Sequence, residues 1–199
     1  MNTQPKLSNA DTIRKIAEQA LQDALQIVYL IELMRAQNSM GINARISKAG
    51  GAGATVAVRN AMIGYVTLLV ARAYAHPRPD DLHCRAAAEL LQSDKTARET
   101  FRLAMEENCL HSLNHIGKSA LRTPASNRLN IFGISTRHTL ENRKICLSPN
   151  IEFGIATAQA LDLLALTTRV AVKSATGNNE ALFSAQAFWK PWSQGDGAR

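Results

Sequence analysis

Arg137, His138 and Arg143 lie close together in the stretch RHTLENR. Those residue types suit cleavage of RNA without a metal. Such chemistry needs a base to take the 2′-hydroxyl proton and a cation to hold the transition-state phosphate. His138 is the available base, Arg143 the group to steady the phosphate, and Arg137 a second cation to assist. The other reading is an exposed histidine near a helix start in a basic protein. The surrounding segment 117–144 carries Lys118, Arg122, Arg128, Arg137, Arg143 and Lys144 against the single acid Glu141, a net +5 of the chain's +7. Clustered cations in an irregular stretch that feeds a helix start can hold phosphates, or can form a solvated loop. Phe132 is its one aromatic residue, so base stacking on this segment is expected to be weak.

A second group is CLHSLNH. His111 and His115 are four residues apart, which places both on one helical face, and Cys109 is close by. Two histidines at that spacing can chelate zinc, but a further ligand must come from another helix. The glutamate of a zinc-protease motif is missing. Equally, both histidines suit the end of a helix, where a cation is favoured. No metal or other cofactor is therefore assigned. RPDDLH, Arg78 to His83, straddles a proline-rich turn and a helix start, where Asp80 and Asp81 serve turn and capping roles. GGAGAT lacks the Lys-Ser/Thr ending of a phosphate loop, and no nucleophile elbow occurs. Trp189 and Trp192 are expected to pin the last helix to the rest of the chain.

The elements that must position these residues are helices throughout. From Asp11 to about Gln37, Ile13, Ile16, Ala17, Ala20, Ala24, Ile27, Val28, Ile31 and Met34 recur at steps of three and four, with Asp11 as the cap. The glycines of NSMGINARISKAGGAGA predict a flexible link. A second helix, about 54–75, buries Val56, Met62, Ile63, Val66, Leu69 and Val70 and stops before Pro77 and Pro79. Asp81 caps LHCRAAAELLQ, and Ser93 or Asp94 caps a helix running to about Ile116. A short helix follows Ser135 or Thr136. Ser148-Pro149 then opens an apolar helix to about Ser174 with Ile151, Ile155, Ala158, Leu161, Leu164 and Ala165 inward. A last helix ends near Trp189. The expectation is an all-α, up-and-down helical bundle of about six or seven helices, one domain over 11–192, with flexible ends at 1–10 and 193–199.

At 199 residues, 46% hydrophobic and 20% charged, the chain suits a single domain with a real core. Its pI of about 9.7 favours polyanionic partners, RNA and DNA first. Three cysteines without a C-x-x-C pair fit a reducing cytoplasm and not a disulfide framework. No signal pattern opens the chain. The apolar run NAMIGYVTLLVA, between Arg59 and Arg72, is expected to be too short to span a bilayer.

The order of elements carries a resemblance. VARAYA leads through PRPDDLHC into RAAAELLQ, a later arginine-rich helix bears ENRKICLS, and the last helix closes on AFW. Over roughly residues 10–190 this pattern resembles the AbiU-type abortive-infection branch of the HEPN superfamily. The resemblance implies an all-α bundle that dimerises, a role in phage defence or a toxin–antitoxin-like setting with a cognate protein partner, and metal-independent ribonuclease activity. The family's arginine, followed four to six residues later by a histidine, falls on Arg143. Lys144 to Pro149 hold no histidine, and His138 precedes the arginine instead. The resemblance thus implies a degenerate member that binds RNA or a protein partner, or one whose histidine is supplied from elsewhere.

Overall fold

A computed structural model of the chain describes residues 8–39, 41–73, 83–101 and 148–193. Among the described residues there are seven helices and no strand: α1 (Asn9–Ser39), α2 (Ile42–Lys48), α3 (Ala52–Ala73), α4 (Cys84–Ser93), α5 (Lys95–Thr100), α6 (Ser148–Thr167) and α7 (Glu180–Ser193). The all-α bundle read from the sequence is what forms.

Helix α1 starts two residues before Asp11 because Ser8 is its cap. The Asp11 amide donates to Ser8 Oγ at 3.1 Å, and the Ser8 hydroxyl donates back to the Asp11 carboxylate. Asp11 is therefore the third helical residue of a reciprocal capping pair and not the cap itself. The apolar stripe of α1 is buried along its length, from Ile13 through Ile27 to Met34, and α3, α4, α6 and α7 all pack against this helix. Each wholly buried isoleucine contributes about 1.5–3 kcal/mol. Helix α3 runs antiparallel to α1, since Arg59 meets Asn38, Tyr65 meets Gln26 and Arg72 meets Asp23. Helix α6 closes the third side. A Cβ on Gly154 would stand 3.1 Å from Ile31 Cδ1 and 3.2 Å from Val66 Cγ1, so the small residue sets how closely α6 approaches α1 and α3.

The expected flexible link between α1 and α3 is instead α2. Ile42 is wholly buried and, with Ile46, packs on Ala36, Ala185 and Trp189. An i, i+4 apolar pair is too short a pattern to stand out in sequence, yet it anchors a two-turn helix. The glycines perform turns around it. Gly41 and Gly50 have φ of 66° and 82°, a backbone that side chains resist. At the end of α2, Gly50 N–H donates to Ser47 O and Gly51 N–H to Ile46 O. That is the paired bonding of a left-handed helix stop.

Other boundaries differ for local reasons. His83, not Asp81, caps α4, with its Nδ1 accepting from Ala86 N–H at 3.3 Å. Of the two expected candidates, Ser93 and Asp94, it is Asp94 that caps α5, accepting from Thr96 N–H and Ala97 N–H. Helix α5 stops at Thr100, where the Phe101 backbone leaves the helical region and its ring enters the core; the expected continuation to Ile116 lies outside the described residues. Helix α6 ends at Thr167, seven residues short of expectation, in the same type of stop as α2. Arg169 N–H donates to Leu166 O and Val170 N–H to Ala165 O, with Arg169 at φ 59°. Helix α7 runs past Pro191 to Ser193. The Arg45 guanidinium donates to the carbonyls of Trp192 and Ser193 there, and such a cation favours a helix C-terminus.

Two burial expectations are corrected. Val56 is 49% exposed, and Trp192 is 50% exposed, so only Trp189 pins α7, through burial and an Nε1–H bond to Leu33 O at 3.0 Å. The apolar run taken as too short to span a bilayer belongs to a 19-residue window, Ala52–Val70, that is long and apolar enough by length and composition. Arg59 does not interrupt it, because one charge is tolerated within a mainly apolar stretch of that length.

Candidate nucleic-acid interface

The bundle fixes where the basic segment leaves and returns. Phe101 is buried against the first half of α1, with the Arg14 guanidinium 5.7 Å from its ring centroid, a cation–π contact. The chain comes back in α6, whose Gly154 meets Ile27 and Ile31. Arg14 and Ile31 are separated by about 25 Å along α1 at 1.5 Å per residue. Phe101 and Gly154 thus meet α1 at points well apart along it. The sequence-derived site residues all fall between these two in sequence: His138, Arg137, Arg143, Lys118, Arg122, Arg128 and Lys144, and the weak metal candidates Cys109, His111 and His115, lie outside the described residues. Among the described residues no group of three His, Cys, Asp or Glu side chains could hold a metal ion.

The arginines of the bundle are largely committed to internal partners. Arg72 pairs with Asp23, which is buried and also accepts from Gln19. Arg35 bonds Glu32. Arg98 donates to Leu91 O and Gln92 O at the end of α4. Arg45 serves the end of α7. Half-exposed arginines held in this way steady helix ends and cross-links more than they offer a surface to phosphate.

Asp162 was invisible as a special residue in sequence except as one carboxylate inside the apolar run ALDLLAL. It is 3% exposed and holds the α6–α7 connection, accepting from Ala175 N–H at 2.8 Å, Thr176 N–H at 3.3 Å, Thr176 Oγ1 at 2.9 Å and the Ser174 hydroxyl. With four donors its acceptor sites are filled, so it is a structural clamp with no capacity left for chemistry. The Asp94 carboxyl has a displaced acidity. The Ala97 N–H bond, then the Asn9 side chain at 2.7 Å, hold it below its ordinary value of 3.8. His83 keeps Nε2 buried without a hydrogen-bond partner, and both amide atoms of Gln37, 1% exposed, are likewise unmatched.

Compared with known proteins, the chain matches no family model, no curated sequence and no solved structure.

Proposed function

We propose that this chain is a cytoplasmic HEPN-like helical protein of bacterial phage defence or toxin–antitoxin type. In this reading it acts as a homodimer, with a cognate protein partner, and binds RNA through the segment 117–144. The observation that carries the reading is the concentration of charge: six cations against one acid in 28 residues, leaving only +2 for the rest of the chain. The internal pairing of Arg72, Arg45 and Arg98 supports it, because these guanidiniums serve the bundle and not a phosphate surface. Cleavage, in this reading, is metal-independent. His138 takes the 2′-hydroxyl proton, Arg143 steadies the phosphate and Arg137 assists.

Filter retention of single-stranded RNA across a salt series tests the binding. If all six cations meet phosphates, log affinity falls with log salt at a slope of about −4. Arg137→Glu with Arg143→Glu should lower that slope by about one to two. Absence of retention at low salt sinks the reading. His138→Ala should abolish cleavage, and unchanged cleavage by that variant removes His138 from the role. A second reading, a non-enzymatic oligomerisation protein without any nucleic-acid role, is favoured by the bare apolar face of α3; it requires assembly with no RNA retention.

A further inference from the structure

Helix α3 carries an unusual surface for a helix facing water. Only 22% of its Ala52–Val70 window is buried, yet its outward side has no charge. Ala54, Ala57, Val58, Ala61, Tyr65 and Leu68 are all exposed. Ala54, Val58, Ala61, Tyr65 and Leu68 follow one another at alternating steps of four and three, the spacing of a helix–helix seam. Arg59, the one cation within the window, lies on the other side, against Asn38 on α1. Polar residues normally cover a solvated helix face, so this stripe is a docking surface awaiting a partner.

We propose that its occupant is a second copy of this chain, paired antiparallel through α3 about a two-fold axis at Ala61. The stripe is its own complement in size. Counted outward from Ala61, Leu68 of one copy falls opposite Ala54 of the other, and Tyr65 falls opposite Ala57. Ala61 meets its own counterpart on the axis, where a small side chain lets the helices approach. Large residues thus enter gaps left by small ones, and a two-fold contact uses the same patch on both copies. The seam from Ala54 to Leu68 is one helix wide and about 21 Å long. That is smaller than a standard specific interface, which points to a weak, concentration-dependent dimer. The inference rests on the homodimer of the reading above and not on its RNA binding, and mass and RNA retention are measured separately.

Light scattering of the full chain at about 5 and 200 µM, with disulfide trapping of an Ala61→Cys variant, tests it. Cys109→Ser and Cys146→Ser remove competing thiols. The expected result is concentration-dependent dimerisation, rapid Ala61→Cys cross-linking under oxidation, and at least a tenfold weaker dimer for Leu68→Asp, whose fold is checked by circular dichroism. A monomer at both concentrations overturns the proposal. So does a dimer that ignores Leu68→Asp and gives no cross-link, since another face then holds it. A monomer whose Ala61→Cys thiol resists alkylation shows the chain covering its own stripe. A monomer that floats with phosphatidylglycerol vesicles shows a lipid surface as the occupant; each of these outcomes also overturns the proposal.

Discussion

Helices α1 and α3 are both long, alanine-rich and antiparallel to each other, but they occupy opposite situations. Helix α1 buries a continuous stripe beneath four other helices and meets water through Arg14, Lys15, Glu18 and Arg35. Helix α3 buries Met62, Val66 and Leu69 on one side and leaves Val58, Tyr65 and Leu68 uncovered on the other. The difference lies in what occupies the outward side. Charges fix which side of α1 faces solvent, whereas α3 carries Arg59 as its one charge between Ala52 and Val70, and its packing on α1 and α6 decides which side is inside.

The contrast can be broken at the shared crossing first. Gly154→Leu forces a side chain where even a Cβ is tight against Ile31 and Val66, and should cost about 3 kcal/mol or more in urea denaturation. Ile27→Ala, at a wholly buried position on α1, should cost about 2–5 kcal/mol, while Leu68→Ala on α3, 61% exposed, should stay within about 0.5 kcal/mol for the monomer. Equal losses from these two would erase the distinction between the helices. Asp162→Ala leaves two buried or part-buried amides and two hydroxyls without their acceptor and should cost about 2–3 kcal/mol.

A smaller effect, of opposite sign, compares the two left-handed helix stops. Gly50 ends α2 and Arg169 ends α6 with the same paired bonds. Arg169→Gly should therefore raise stability by about 1 kcal/mol, read as a higher melting temperature. The smallest is a pH effect. The Asp94 carboxyl is held below its ordinary value when folded, so its stabilising contribution is present above that ordinary value and fades as pH falls through the lowered one. Asp94→Asn should flatten the acid limb of the stability–pH curve below about pH 4 and leave its slope near neutrality unchanged.

How much of this was legible in the sequence depended on how residues declare their surroundings. The buried stripe of α1 was legible in the main, because its period of three and four is marked out by charges between; Val28 on it is only partly buried, and buried Asp23, Ala36 and Gln37 fall outside it. The cap of α5 was legible only as Ser93 or Asp94, since both residue types cap helices and only the fold of the preceding turn decides between neighbours. His83 was not, because a histidine cap is rare and Asp81 stood two residues upstream. Helix α2 was hidden by its glycines, which signal turns whether or not a helix lies between them. Val56 was misplaced on α3 because an evenly apolar helix gives no phase. For the candidate nucleic-acid interface, residue types and net charge were legible, but the mutual placement of His138 and Arg143 is a tertiary matter that spacing alone does not decide.

The small cluster formed by Ala36, Ile42, Ala185 and Trp189 has a consequence for the order of events at the ribosome. Its two halves are made about three-quarters of the chain apart. Ile42 and the end of α1 are made before α7 and keep an apolar surface open until α7 reaches them. Helix α7 thus acts as a latch, and a chain truncated before Glu180 carries an unlatched, chaperone-attracting end on α1 and α2.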